Sequence, residues 1–134
     1  MPGSETDPLA RKAEADLILE RAASQLRRLL REAAAELRPF PPFPGAFFTN
    51  AIEVEPEASA SSERGCVVVY EDGELYELQM EVDFSKEFQD PVSVRDETLK
   101  PLEDLHPRDY VVYAYNALVR ISEFLLEQQG EGAK

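Results

Sequence analysis

The chain has 134 residues, of which 43% are hydrophobic and 31% charged, and its formal net charge is −13. This length and composition are typical of one globular domain, and so acidic a chain disfavours binding to nucleic-acid phosphates. A single cysteine excludes an intramolecular disulfide and favours a cytoplasmic location, and the lack of a run of about 18 apolar residues argues against a membrane span.

The first element predicted along the chain is a long amphipathic helix. Residues 1–7 have the polar composition of a disordered leader, with Asp7 as a favourable N-cap and Pro8 as a favourable first helical residue. Residues 9–38 contain no glycine or proline and are rich in strong helix formers. The apolar residues that share one side of this helix are Ala15, Ile18, Leu19, Ala22, Leu26, Leu29, Leu30, Ala33 and Leu37.

Arginines lie on the opposite side of the same helix. Arg27, Arg31 and Arg38 share that side, and an arginine side chain fits the forked geometry of a carboxylate or phosphate. These three residues are therefore candidates for binding an acidic ligand or partner. The simpler interpretation is a solvated helix face on which arginines pair with glutamates at helical spacing.

A proline-rich connector and a first strand follow the helix. Residues 39–45 (PFPPFPG) end the helix, and their phenylalanines are expected to pack on the domain rather than to form an exposed proline-rich ligand. Residues 47–55 alternate between apolar and polar, which predicts a strand with Ile52 and Val54 facing inward. Residues 56–63 are small and polar, as in a surface loop.

The strongest structural signal in the chain is a β-hairpin over residues 66–71 and 74–84. Asp72 and Gly73 lie between two runs rich in β-branched and aromatic residues, a pattern typical of a two-residue type I′ turn. With this turn, alternate residues of the two strands share one face. The side chains predicted on the core face are Val67, Val69, Tyr76, Leu78, Met80, Val82 and Phe84.

The outer face of this hairpin is predicted to be apolar near the turn. The residues expected there are Cys66, Val68, Tyr70 and Leu75. A sheet with one solvated face is normally polar at such positions, so these four residues are candidates for a binding interface. Either the phenylalanine-rich connector or a second subunit is expected to cover them.

The rest of the chain predicts an edge strand and a broad C-terminal helix. Residues 91–95 form the expected edge strand, which begins at a proline, and residues 96–105 are expected to be irregular with leucines as anchors. Pro107 is predicted to begin a helix that ends at Gly130, before a disordered tail over residues 131–134. Apolar residues occupy so much of this helix that we expect burial on two sides, against the sheet and against another helix or a second subunit.

No sequence motif indicates a catalytic centre, a cofactor site or a metal site. His106 and Asp109 are a conceivable base and its orienting acid, but a helix start at Pro107 is the interpretation that the pattern favours. Cys66 and His106 are the only residues of their kinds, so they do not provide a Cys/His metal cluster.

In chain order these elements predict an α+β domain over residues 8–130. It has a meander of three or four antiparallel strands and both helices on one sheet face. We expect a non-enzymatic protein-interaction, adaptor or chaperone-like module that forms a homodimer or binds another protein. The alternative is a small-molecule-binding domain or a small enzyme, with a pocket between helices and sheet lined by Tyr76, Tyr113 and Tyr115.

Overall fold

The computed structural model describes residues 7–46, 48–54, 66–82 and 95–132. Within them, two helices and a four-stranded antiparallel sheet form an α+β fold, as predicted. The elements are α1 (Pro8–Glu36), β1 (Ala51–Glu53), β2 (Cys66–Tyr70), β3 (Leu75–Val82), β4 (Arg95–Pro101) and α2 (Pro107–Gly132). The strands lie in the order β1-β2-β3-β4. The predictions for the leader before Asp7, the loop after β1 and the last two residues fall outside the described residues.

α1 begins at the predicted residue and ends at Glu36, slightly earlier than predicted. The side chain of Asp7 accepts a hydrogen bond from the backbone N–H of Leu9 at 3.0 Å, and Pro8 is the first helical residue. After the helix, Nη1 of Arg38 donates hydrogen bonds to two carbonyl oxygens of the last turn and cap, at 3.3 and 3.0 Å. Both ends therefore have partners for backbone groups that a helix leaves unpaired.

One hydrophobic core joins both helices to the sheet, so both helices lie on one sheet face, as predicted. Its buried side chains are Leu30, Ala34, Leu37, Phe40, Ile52, Val54, Val67, Val69, Leu75, Tyr110, Ala114, Ala117 and Ile121. The inward orientation predicted for Ile52 and Val54 is confirmed. Burial of one large apolar side chain contributes about 1.5–3 kcal/mol, so this core is a main source of stability.

The first half of α1 extends beyond this core. Leu9 and Ile18 are exposed, and the residues of α1 that pack on the core begin at Ala23. Ile18 shares the apolar side of α1 but lies outside the core, because the packed part of the domain does not reach that far along α1. Leu29 is also partly exposed and lies at the edge of the packed side.

The hairpin forms, but its register differs by one residue from the prediction. Val69 pairs with Leu75, whereas a two-residue turn would pair it with Tyr76, so the loop contains three residues. Gly73 has a φ of +83°, and every described residue with a positive φ is a glycine. A type I′ turn also needs a positive φ at Asp72. The observed loop instead fits a type I turn followed by a left-handed glycine.

This shift exchanges the two faces of β3. Leu75 joins the core under the helices, whereas Tyr76 and Leu78, predicted to face inward, lie on the outer face. Glu77 and Gln79 take the helix side in half-buried positions, and Nε2 of Gln79 donates a hydrogen bond to Oε1 of Glu77 at 2.9 Å. The predicted inward side chains that the structure does not describe are Met80, Val82 and Phe84.

β4 lies later in the chain than predicted. Arg95–Pro101 pairs with β3 along its whole length, so the prediction that residues 96–105 are irregular is wrong for most of that segment. The sequence of β4 shows little alternation of apolar and polar residues, so the strand is held by backbone hydrogen bonds to β3 instead. Leu99 packs on the outer face and Leu102 on the core, as predicted for anchors. Residues 91–94 lie outside the described part of the chain.

His106 begins α2. Its Nδ1 accepts a hydrogen bond from the backbone N–H of Arg108 at 3.0 Å, and Pro107 is the first helical residue. The carboxylate of Asp109 lies 3.8 Å from the Arg108 guanidinium, in the first turn, where the helix dipole favours a negative charge. The helix-start interpretation is confirmed, and α2 continues to Gly132, beyond its predicted end.

Candidate functional site

The outer face of the hairpin is covered by the chain's own connector. Phe43 packs with Val68 in a second, smaller core, and Val68 is fully buried. Cys66 and Tyr70 are half-buried at the edge of this core, and Leu75 is buried on the opposite face. The sequence predicted that either the connector or a second subunit covers this face, and the structure shows the connector there. The four residues therefore do not form one accessible surface.

Polar contacts fasten this connector to the sheet. The hydroxyl of buried Thr49 donates a hydrogen bond to Oε1 of Glu97 in β4 at 2.7 Å, and the backbone N–H of Phe48 donates to the same carboxylate at 3.0 Å. The backbone N–H of Phe43 donates to the carbonyl of Thr49 at 3.0 Å. The chain that leaves the connector is thus fastened to β4, and Phe43 is fastened to that chain through Thr49.

Two of the three candidate arginines hold the tip of the hairpin. The carboxylate of Glu74 lies 2.6 Å from Nη2 of Arg31 and 3.8 Å from Nε of Arg27. Arg38 lies apart from them, where it caps α1. Glu74 of the same chain therefore already binds Arg31, and its contact with Arg27 is longer.

The hairpin loop contains a strong hydrogen bond between two ionisable side chains. The hydroxyl of Tyr76 donates to Oδ2 of Asp72 at 2.5 Å. This hydrogen bond, with a smaller effect of burial, raises the pKa of Tyr76 to about 12, because loss of the proton would break the bond and place two negative charges together.

We expect Asp72→Asn to lower the pKa of Tyr76 towards its usual value of 10.0. The folded state holds this proton more tightly than the unfolded state does, so stability is complete below pH 10 and decreases between pH 10 and 12. Ultraviolet titration of the phenolate band measures the shift, with Tyr76→Phe to identify the signal. If the component that Tyr76→Phe removes keeps its high pKa in Asp72→Asn, the assignment is contradicted.

α2 has a second apolar line on the side that faces away from the core. Val112, Tyr115, Val119 and Leu126 are between 42% and 66% exposed. They follow one another at intervals of three, four and seven residues, the repeat of a helix that packs against another helix. We call these four residues the outer seam. The two buried sides predicted for this helix are its contacts with α1 and with the sheet, and the outer seam is a further line that the sequence did not predict.

A groove of about 610 Å³ lies beside the outer seam. Its walls are the prolines of the connector, the edge strand β1 and α2. Val119 belongs to both the seam and the groove. The guanidinium of Arg120 lies over the ring of Phe124, 5.3 Å from its centroid, and both residues line the groove. The volume lies within the range of ligand pockets.

The three tyrosines proposed to line a pocket lie in different places. Tyr76 is on the outer sheet face, Tyr113 packs on the main core, and Tyr115 belongs to the outer seam. A second cavity, of about 280 Å³, lies between α1 and the segment that leads into α2. Sequence patterns carried no signal for either cavity, since each is lined by residues that are far apart in the chain.

Comparison with known proteins finds no relative: no family model, no curated protein and no solved structure matches the chain. Within the part of the chain that the structure describes, no three histidine, cysteine or carboxylate side chains gather as metal ligands. Neither of the described helices is long and apolar enough to cross a bilayer.

Proposed function

We propose that the protein is a non-enzymatic interaction module that pairs with a second copy of itself through the outer seam of α2. The observation that carries the proposal is a line of exposed apolar side chains on a helix whose other side is buried. Scattered exposed apolar residues are ordinary, but a continuous line of them marks a contact surface. The single cysteine favours a reducing compartment, so we place this pairing in the cytoplasm.

An antiparallel two-fold pairing of α2 uses the whole seam. If two copies cross at Val119, Val112 of one copy lies opposite Leu126 of the other, because each is seven residues from Val119. Tyr115 of one copy then lies opposite Glu123 of the other, because each is four residues from Val119. Glu123 is paired with Arg120, whose guanidinium is a favourable neighbour for an aromatic ring.

The charges near the seam suit a second copy. Arg120 and Glu123 flank it and form an ion pair at 3.1 Å, so the seam itself carries little net charge. Each chain has a net charge of −13, and salt screens the resulting repulsion between two copies without weakening apolar contact. Pairing through the seam should therefore strengthen as the salt concentration rises, whereas binding of a basic partner should weaken.

We expect the wild-type protein to show twice its monomer mass of 15.1 kDa in light scattering at high micromolar concentration. Tyr115→Glu should be a monomer, because its carboxylate would face Glu123 of the other copy and would lose its hydration in the contact. Ile18→Glu is the matched control: Ile18 is 59% exposed and Tyr115 is 60% exposed, and both lie on long helices.

The control variant should keep the mass of the wild type at every concentration and salt level. A wild-type monomer at high micromolar concentration, or a dimer that Tyr115→Glu leaves intact, contradicts the proposal. Circular dichroism of both variants shows whether the helices are retained, which separates loss of pairing from loss of folding.

A further inference from the structure

The outer seam continues to a charged residue at the start of α2. Arg108 lies four residues before Val112, so it extends the three- and four-residue spacing of the seam by one position. Its side chain is 71% exposed, and its ion pair with Asp109 of the same chain is long, at 3.8 Å. Because a guanidinium has five N–H donors, Arg108 retains the capacity to bind a second carboxylate.

The other end of α2 is negatively charged. Glu127 is exposed and makes no ion pair with any described residue. The last turn of the helix contains no basic residue, so the negative end of the helix dipole also lacks a cation of its own. At Gly130 an added Cβ would meet no described atom within 4 Å, which leaves space for a side chain of another molecule. The two ends of the seam are therefore complementary in charge.

An antiparallel pairing that crosses at Val119 brings these two ends together. Arg108 of one copy lies opposite Gly130 of the other, since each is eleven residues from Val119. Glu127 is three residues from Gly130, about 4.5 Å along the helix, and an arginine side chain can span that distance. A parallel pairing would instead place Arg108 opposite Arg108 and Glu127 opposite Glu127, with repulsion at both ends.

We infer that two symmetric ion pairs, each between Arg108 of one copy and Glu127 of the other, set the antiparallel direction of the homodimer. This inference rests on the pairing through the outer seam proposed above, and it adds the residues that select the direction of that pairing. Apolar contacts are non-directional, whereas one polar or charged position in a helical interface can fix how two helices align.

Glu127→Arg separates this contact from the effect of overall charge. The change reduces the net charge of −13 per chain by two, so general repulsion between copies would fall and pairing would strengthen. The two ion pairs would instead become repulsive, and each exposed pair of charges changes a binding constant by up to about fivefold. We therefore expect the dissociation constant of the dimer, measured by light scattering over a concentration series, to rise at least about fivefold.

Glu14→Arg is the matched control for this variant. Glu14 is an exposed glutamate of α1 that makes no ion pair with any described residue, and its replacement changes the net charge by the same amount. Because it lies away from the outer seam, this control should pair at least as tightly as the wild type does.

Arg108→Glu supplies the complementary test. This variant alone should also pair more weakly, because two carboxylates would meet at each end of the seam. An equimolar mixture of Arg108→Glu and Glu127→Arg chains again has one cation and one anion at each end, so the mixture should pair about as tightly as the wild type. Recovery in the mixture also shows that both variants are folded.

The outcomes distinguish the ion pairs from the pairing itself. A wild-type dimer whose dissociation constant is unchanged or lowered by Glu127→Arg overturns the ion pairs and leaves the seam pairing in place. A mixture that stays monomeric at concentrations at which the wild type pairs overturns them as well. A wild-type monomer at high micromolar concentration overturns both proposals.

Discussion

Gly73→Ala is expected to lower the free energy of unfolding by about 3 kcal/mol, through two separate costs. The φ of +83° at Gly73 costs an alanine about 1–2 kcal/mol. An added Cβ would also lie 2.6 Å from the Cα of Arg31, which belongs to the backbone of α1 and cannot move alone. Relief of this contact requires the hairpin to withdraw from α1, which would lengthen the ion pair between Arg31 and Glu74.

Gly45→Ala is the matched control for this variant. Gly45 also has a positive φ, +88°, but an added Cβ there would meet no described atom within 4 Å. It should lose only the backbone contribution of about 1–2 kcal/mol. Chemical denaturation of both variants measures the difference. Equal losses at the two positions would show that the loop of the hairpin is not in close contact with α1.

Phe43→Ala is expected to lower the free energy of unfolding by about 3–5 kcal/mol, the usual cost of removing a buried phenylalanine ring. Phe43 is 7% exposed and packs with Val68 and Leu78 on the outer face of the sheet. Its loss would leave those two side chains open to water, so the folded variant should bind a hydrophobic dye more strongly than the wild type does.

Phe48→Ala tests whether the effect depends on burial. Phe48 lies three residues after the connector and is 68% exposed, so its removal should change the free energy of unfolding by no more than about 0.5 kcal/mol. Thermal or chemical unfolding of the two variants gives the comparison. Similar losses for both would mean that Phe43 is not the residue that covers the sheet.

The parts of the fold that sequence predicts correctly depend on neighbouring residues. Asp7, Pro8 and Pro107 fix the starts of the two helices within one turn. The hairpin follows from Asp72 and Gly73 in the same way, but its register does not. An Asp-Gly pair is compatible with loops of two or three residues, and alternation along β3 favoured the wrong choice.

The wrong register for β3 has a physical cause on the helix-covered face of the sheet. The observed register places Glu77 and Gln79 under the helix layer, which would be costly if the helices covered all of β3. Among the described residues of β3, however, only Leu75 belongs to the main core. The two polar side chains therefore remain half-exposed, and the expected penalty does not arise.

The candidate sites were less predictable than the fold. The breadth of apolar surface on α2 predicts two contact sides, but which side meets water depends on where the sheet lies. Arg27 and Glu103 line the same cavity as Tyr110. They lie far apart in the sequence, and no local pattern in either segment predicts that they come together. Likewise, nothing in the sequence around Arg31 identifies Glu74 as its partner.

The ion pair between Arg31 and Glu74 joins two segments that are synthesised at different times. Arg31 and Glu74 are 43 residues apart, so α1 is synthesised well before the carboxylate that holds it. Until then, the nascent helix has little beyond its own backbone hydrogen bonds, which give an isolated helix only marginal stability. Because α1 packs mainly on α2, a segment made later than the hairpin, α1 is buried only once α2 has docked, while the turns before Ala23 stay outside the packed core even in the finished protein.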